Sequence, residues 1–167
     1  MLELDGSEGG GQLFRSALTL SALMTTGFEM ERVRGSRPDP GLNPQHLSAL
    51  QSVADICDAS VEGAEIGATT VTFDPGEPTG GHYEVSIGTA GSVTLLLDAV
   101  LPIASALDRP LTLSATGGTS VKWSPSMPWY RRVKLPMLRR AGLQAAVDVD
   151  RSGFYPAGGG RATLSLA

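Results

Sequence analysis

A run of glycines between charged residues lies near the amino terminus. Glu8 is followed by Gly9, Gly10 and Gly11, and Arg15 comes four residues after the last glycine. Successive glycines let backbone N–H groups turn toward a ligand, and a helix that begins there adds positive potential, so the turn suits a phosphate. Glu8 would repel that phosphate unless a divalent cation lay between them, which predicts a metal-contacting carboxylate. The spacing fits neither a Walker A motif nor a dinucleotide fingerprint, and an ordinary turn stays an alternative.

A second donor-rich segment covers residues 34–47. Arg34 and Arg37 belong to a loop stiffened by prolines, so they present two planar guanidinium groups that match phosphate oxygens. The loop leads into a predicted helix with Gln45 and His46 at its start, which adds further donors. We predict that His46 is a hydrogen-bonded packing residue rather than a catalyst. The alternative is an ordinary loop with solvent-exposed arginines.

A third segment combines aromatic residues, proline and positive charge at a predicted helix start. Such a surface can stack a nucleic-acid base and hold phosphates. Equally, Trp129 and Val133 have the spacing of helix core residues. The segment contains Lys122, Trp123, Pro125, Trp129, Arg131 and Arg132.

The residues alone identify no nucleophile. The sequence has two histidines and one cysteine, with no serine triad, cysteine–histidine pair or histidine-rich metal spacing. The single cysteine, Cys57, excludes an internal disulfide and a multi-cysteine zinc site, and we expect a small core residue. We expect His82 to be exposed and without a role.

Charge is unevenly distributed along the 167 residues, which contain 13 basic and 17 acidic side chains. Seven of the basic residues lie between Arg109 and Val147, where no acidic residue occurs. An acidic protein with one basic segment argues against general polyanion binding and leaves room for a local phosphate site, or for a solvated helix face. The apolar stretches are too short to span a bilayer and no secretory signal is visible, so we expect a cytoplasmic protein without a membrane partner.

The sequence resembles itself at an offset of about 82 residues, which aligns the glycine-rich turn at 8–14 with residues 90–96. We interpret this as two repeats, residues 1–82 and 83–167, although chance alignment of glycine-rich turns is the alternative. Each repeat is predicted to have the order β-α-β-α-β-β. This order indicates an α/β fold of α+β layers, with helices packed on one face of small four-stranded sheets.

Apolar periodicity and capping residues predict four helices. In the first, residues 11–24, we expect a buried stripe of Leu13, Ala17, Leu20 and Met24. Asn43 and Pro44 are predicted to start the second. The third is expected over 92–107 with a kink at Pro102, and the fourth from a Ser124–Pro125 cap to Arg140. Strands are predicted at 2–4, 29–33, 59–63, 70–73, 83–87, 111–115, 143–149 and 162–166.

Taken together, these segments resemble the RNA 3'-terminal phosphate cyclase family. The resemblance covers essentially the whole chain, in order. The residues that carry it are 8–18, Arg34 to Arg37, 40–42, 45–47, 63–67, 88–97, 117–119 and the octapeptide 153–160.

The resemblance implies an activity. Members of this family use ATP and a divalent metal, Mg or Mn, to convert an RNA 3'-phosphate into a 2',3'-cyclic phosphodiester. A histidine is first adenylated, AMP then passes to the RNA 3'-phosphate, and the neighbouring 2'-hydroxyl displaces AMP. The implied partners are therefore ATP and RNA 3'-phosphate ends.

The resemblance also implies residue roles. Glu8 matches the metal-contacting carboxylate, while Pro125 and Trp129 match positions that pack the adenine. Asp98 stands where the bacterial pattern has an ATP-contacting glutamine, so its role is open. The residues that match phosphate and RNA-end ligands are Arg15, Arg34, Arg37 and Gln45.

The adenylated histidine of the family lies in a third repeat, after a small inserted domain. Neither His46 nor His82 matches its motif. The resemblance thus implies the N-terminal half of a cyclase, inactive by itself, which would work with a downstream half or as a homodimer. The alternatives are a non-catalytic, cyclase-like protein in RNA binding or ribosome assembly, and a repeat domain that dimerises to complete its sheets.

Overall fold

A computed structural model describes residues 1–167, which form two compact units, Met1–Pro78 and Thr79–Ala167. Each unit contains one four-stranded sheet of mixed direction, and this confirms the predicted α/β class with small four-stranded sheets. The division into duplicated repeats stays a prediction. No helix combines the length and the apolar character that a membrane crossing requires.

The first unit has two helices and one sheet. Its strands pair in the order β1-β2-β4-β3, with β1 parallel to β2 and the other pairs antiparallel. A parallel neighbour requires a crossover, and α1 supplies it between β1 and β2. The elements are β1 (Leu2–Asp5), α1 (Gly11–Met24), β2 (Phe28–Glu31), α2 (Pro44–Cys57), β3 (Ser60–Glu62) and β4 (Val71–Asp74).

The second unit has the same pairing pattern, in the order β5-β6-β8-β7. A 3₁₀ turn over Leu101–Ala106 follows α3, and a π-helical turn over Tyr130–Lys134 joins α4 to α5. The elements are β5 (Gly81–Ser86), α3 (Val93–Val100), β6 (Leu111–Gly117), α4 (Met127–Trp129), α5 (Leu135–Arg140), β7 (Ala145–Arg151) and β8 (Gly160–Leu166).

The predicted buried face of α1 is wrong, although its bounds are confirmed. Leu20 and Met24 are 55% and 65% exposed, whereas Phe14 and Leu18 are at most 1% exposed. The helix has two apolar stripes one residue apart, so periodicity does not choose between them. The stripe with the phenylalanine faces the core because it removes more apolar area from water.

The start of α2 is confirmed. The Asn43 side chain accepts a hydrogen bond from the His46 backbone N–H at 3.2 Å, and Pro44 is the first helical residue. Leu50 and Val53 are fully buried. Both signals are local, which is why the sequence alone identifies them.

Two predictions about the helices of the second unit are wrong. The helix expected over 92–107 ends at Val100, and Pro102 lies in the 3₁₀ turn that follows. The fourth helix is capped by Ser126 rather than by Ser124, and it begins at Met127. The wider π turn precedes Pro136, whose missing N–H and bulky ring disfavour a regular α turn there.

Candidate functional site

The glycine-rich turn leads directly into α1. Gly10 is the N-cap in an extended conformation, and no side chain caps this helix start. The first turn of α1 contains no acidic residue. Its end therefore presents backbone N–H groups and positive potential, which suits a phosphate as the sequence predicts.

Arg37 lies directly against this turn. A β-carbon built on Gly10 would lie 2.7 Å from Nη2 of Arg37, so glycine leaves room for the guanidinium beside the helix start. The Arg37 side chain is exposed, and it forms neither an ion pair nor a side-chain hydrogen bond. A planar, uncompensated cation beside a helix N-terminus is the arrangement that binds phosphate oxygens well.

Arg34 is held close to Arg37. Its Nη1 donates a hydrogen bond to the Gly41 carbonyl at 2.7 Å, which fixes the half-buried side chain. Burial lowers the pKa of Arg34, and the positive charge of Arg37 lowers it further, while Asp39 offsets part of this. Two guanidinium groups thus repel each other, and an anion bound near both would relieve that repulsion.

His46 lies beneath the same turn. A β-carbon on Gly11 would overlap its Nε2, and its ring meets the Phe14 ring edge-on at 6.4 Å between centroids. Burial and, to a smaller extent, the charges of Arg34 and Arg15 together lower the pKa of His46 to about 3. The packing role predicted for His46 is confirmed, but no hydrogen bond reaches its buried Nδ1.

Arg15 completes the arginine cluster, by which we mean Arg15, Arg34 and Arg37. Its side chain is only 6% exposed, and Nη2 donates to Oε1 of Gln12 at 3.0 Å. Since both Arg15 and Arg34 act electrostatically on His46, they approach the glycine-rich turn from α1 and from the following loop. The structure therefore brings together donors from positions as far apart as Arg15 and Arg37, which are 22 positions apart in the sequence.

Glu8 and Gln45 lie on the two segments that carry this cluster. Glu8 is exposed and its carboxylate forms no ion pair, whereas Gln45 is the second residue of α2. No group of three or more His, Cys, Asp or Glu side chains in residues 1–167 could hold a metal ion. Glu8 fits only a cation that takes its other ligands from phosphates and water, as Mg²⁺ commonly does.

In the second unit, Asp98 is engaged by a lysine. Nζ of Lys134 lies 2.5 Å from its Oδ1 and 5.1 Å from the centroid of the Tyr130 ring. Tyr130 is fully buried, and burial together with the nearby Asp98 charge raises the pKa of its phenol. Asp98 is close to the Tyr130 hydroxyl, but the geometry of a hydrogen bond is not met. Lys134 neutralises Asp98, and sequence analysis missed this pair.

Pro125 and Trp129 lie at the start of the helical segment that contains α4. The Pro125 carbonyl accepts a hydrogen bond from Thr94 Oγ1 at 2.8 Å, which ties this loop to α3. Trp129 is 45% exposed and Val133 is 40% exposed, so the alternative of two helix core residues is wrong. The apolar face of Trp129 is available to a ligand, while Tyr130 packs in the core instead.

The fold and the arginine cluster define a class of protein: a two-unit α/β protein with a cluster of arginines on its first unit that suits a phosphate. The sequence profile of the RNA 3'-terminal phosphate cyclase family matches residues 6–167. The chain belongs to this family.

Individual relatives agree with the family match. RNA 3'-terminal phosphate cyclase of Halobacterium salinarum is 51% identical over 174 residues, covering 98% of this chain and 51% of the relative. The protein of the same name in Methanopyrus kandleri is 50% identical over 162 residues, with coverage of 96% and 46%. That of Ralstonia nicotianae is 48% identical over 167 residues, with coverage of 99% and 48%. The chain thus spans about half the length of these curated relatives.

Proposed function

We propose that this chain provides the substrate-positioning part of an ATP-dependent RNA 3'-terminal phosphate cyclase. The observation that carries the proposal is the arginine cluster at the uncapped start of α1. Neither Arg34 nor Arg37 forms an ion pair with a carboxylate, and Arg37 lies against the helix start, whose backbone N–H groups can donate to a phosphate. A protein that only bound RNA would not need such a concentration of donors around one point.

The proposed reaction consumes ATP and an RNA 3'-phosphate. AMP is first joined to an enzyme histidine with release of pyrophosphate, and it then passes to the RNA 3'-phosphate. The 2'-hydroxyl attacks that phosphorus, the 2',3'-cyclic phosphodiester forms, and AMP leaves. Arg15, Arg34, Arg37 and Gln45 hold the non-bridging oxygens while negative charge develops on them.

Glu8 is the residue that would hold the divalent metal in this scheme. A bound Mg²⁺ or Mn²⁺ supplies charge neutralisation at the phosphates. Glu8 positions that charge at the glycine-rich turn, and it contributes no other step.

The adenine is assigned to the second unit. Pro125 and Trp129 offer apolar faces for it, and the Asp98 carboxylate can accept a hydrogen bond from the adenine amino group. Lys134 cancels the charge of Asp98, so this carboxylate does not repel a triphosphate as a free acid would.

The histidine that becomes adenylated is proposed to lie outside these 167 residues, in a downstream half of the enzyme or in a second copy. His46 is buried and His82 is exposed on β5, and neither matches the motif of the nucleophile. The chain alone is therefore expected to bind substrates without turnover.

Substitution of Arg37 tests the proposal. In the enzyme reconstituted with its downstream half, Arg37→Ala should lower cyclisation of a 3'-phosphorylated RNA at least about 100-fold, since it removes a charged phosphate contact at the reacting centre. Arg140→Ala is the matched control, because this exposed arginine lies at the end of α5. Unchanged cyclisation by Arg37→Ala would contradict the placement of the reacting phosphate at the arginine cluster.

A further inference from the structure

The second unit contains an open cavity that none of the roles above uses. Its volume is about 500 Å³, and no acidic residue lines it. The polar lining comes from Ser120, Arg131, Arg132 and Ser152, and Phe154 forms part of the wall. Neither Pro125 nor Trp129 contributes to this lining, so the cavity differs from the surface assigned to adenine.

The two arginines of the cavity are uncompensated. Lys134 is paired with Asp98, and Arg139 donates to the Ala145 carbonyl, but Arg131 and Arg132 form no ion pair or side-chain hydrogen bond. Both are exposed residues of the π-helical turn, a feature often found at functional sites. Adjacent free guanidinium groups beside a concave surface favour an anionic ligand with several oxygens.

The loop that carries Phe154 is rigidly held. Gly153 and Thr119 form two hydrogen bonds, each 2.9 Å long. The Gly153 N–H donates to Thr119 Oγ1, and the Gly153 carbonyl accepts from the Thr119 backbone N–H. A β-carbon on Gly153 would overlap the backbone of Gly160, so the loop needs this glycine. The carbonyl of Phe154 also accepts from the Gly158 N–H at 2.7 Å.

The Phe154 ring is 59% exposed although its backbone is fixed. An aromatic ring presented on a rigid loop loses little conformational entropy when a planar group stacks on it. Every nucleobase offers such a planar face, and stacking on aromatic rings is a general mode of single-strand binding.

We propose that this cavity binds a nucleotide of single-stranded RNA. Arg131 and Arg132 bind its phosphate, Phe154 stacks on its base, and the hydroxyls of Ser120 and Ser152 are within the same wall for contact with the ribose. The identity of the strand as RNA rests on the proposed function. These contacts involve a phosphate and the plane of a base, which all nucleotides share, so we expect the cavity to bind RNA without a preference for base sequence.

Fluorescence anisotropy with labelled oligouridylates tests this proposal on the 167-residue chain. The probes are a dinucleotide and a decanucleotide, each with a 3'-phosphate. The double variant Arg131→Ala/Arg132→Ala should bind the decanucleotide at least about tenfold more weakly, and lower the salt slope of log Kd by about 1.4, which is the value for two lost single-strand phosphate contacts. Binding of the dinucleotide should change less than about twofold.

Controls separate the cavity from general charge. Arg109→Ala/Arg140→Ala removes the same charge from exposed residues that do not line the cavity, and it should leave the preference for the longer probe intact. Phe154→Leu should weaken decanucleotide binding about tenfold with an unchanged salt slope, and Phe154→Tyr should restore it. Thermal unfolding of each variant should match that of the parent, because these side chains are exposed.

The outcomes distinguish this proposal from the proposed function. If the Arg131→Ala/Arg132→Ala variant binds both probes as the control variant does, the cavity is not an RNA site, and the same holds if its only defect is in association with a downstream half. Arg37→Ala is read out separately, as the loss of discrimination between 3'-phosphate and 3'-hydroxyl ends. If the Arg131→Ala/Arg132→Ala variant has no binding defect while the parent chain still distinguishes 3'-phosphate from 3'-hydroxyl ends, only the cavity proposal is overturned. Absence of discrimination in the parent chain overturns the function alone.

Discussion

At the scale of single residues, the first unit keeps a neutral histidine beneath a group of cations. His46 is buried against Phe14 and near Arg15 and Arg34, so a proton on its ring would add a third positive charge to a poorly solvated place. This explains why its pKa falls to about 3. The neutral ring fills the space under Gly11 without opposing the binding of an anion.

A pH dependence of stability follows from this depressed pKa. Between about pH 3 and 6.5 the unfolded chain protonates His46 while the folded chain does not, so the free energy of unfolding should rise with pH across this window. The slope of this rise approaches about 1.4 kcal/mol per pH unit. Above the ordinary histidine pKa, His46 no longer makes the free energy of unfolding depend on pH. Urea denaturation of the parent and of His46→Asn at pH 5.0, 6.0 and 7.0 measures it. Equal slopes in the two proteins would contradict the burial of a neutral ring.

At the scale of elements, α1 and α2 meet where a glycine faces that histidine. Gly11 is the first residue of α1, and His46 belongs to the first turn of α2. Because a β-carbon on Gly11 would overlap the His46 ring, the two helix starts approach more closely here than any other residue would permit. The approach places both helix N-termini beside the arginine cluster.

A double-mutant cycle should reveal this contact. Gly11→Ala alone is expected to cost about 2 kcal/mol of unfolding free energy, since the ring must move in a packed region. In a His46→Ala background the same change should cost less than about 0.5 kcal/mol, because space is now available and alanine favours a helix. Chemical denaturation of the four proteins gives the coupling energy. Additive effects would mean that the helix starts do not depend on this contact.

At the scale of the whole molecule, the chain has two units with one pairing pattern and spans about half the length of its relatives. The α1 face that is absent from the core of the first unit remains exposed at Leu13, Leu20 and Met24. These exposed apolar residues extend over about three turns of one helix face. Such a face is typical of an interaction surface. This supports the proposal that turnover needs a downstream half.

Complementation tests that proposal. The 167-residue chain incubated with ATP labelled at the α-phosphate should give no covalent adenylate, and addition of the downstream half should produce label on that half only. Leu20→Glu/Met24→Glu should lower RNA cyclisation by the mixture at least about tenfold by weakening association, with unfolding unchanged. Gln51→Glu, an exposed position on α2, is the control. Label on the isolated chain would place the nucleophile within these residues.

Features that depend on neighbours along the chain could be predicted from the amino-acid order. The Asn43 cap with Pro44, the bounds of α1, the α/β class and the family all follow from local signals or from ordered motifs. Which apolar stripe of α1 is buried could not be predicted in this way, because two stripes satisfy the same periodicity and only packing in the folded protein distinguishes them.

The same division applies to the sites. The residue types of the arginine cluster were evident, but their approach to one helix start depends on the fold of the loop between β2 and α2. The Asp98–Lys134 pair joins residues 36 positions apart, and the cavity at Arg131 and Phe154 joins a helical turn to a distant loop. The spacing of residues along the sequence does not predict these contacts, since they form only when separate elements pack together.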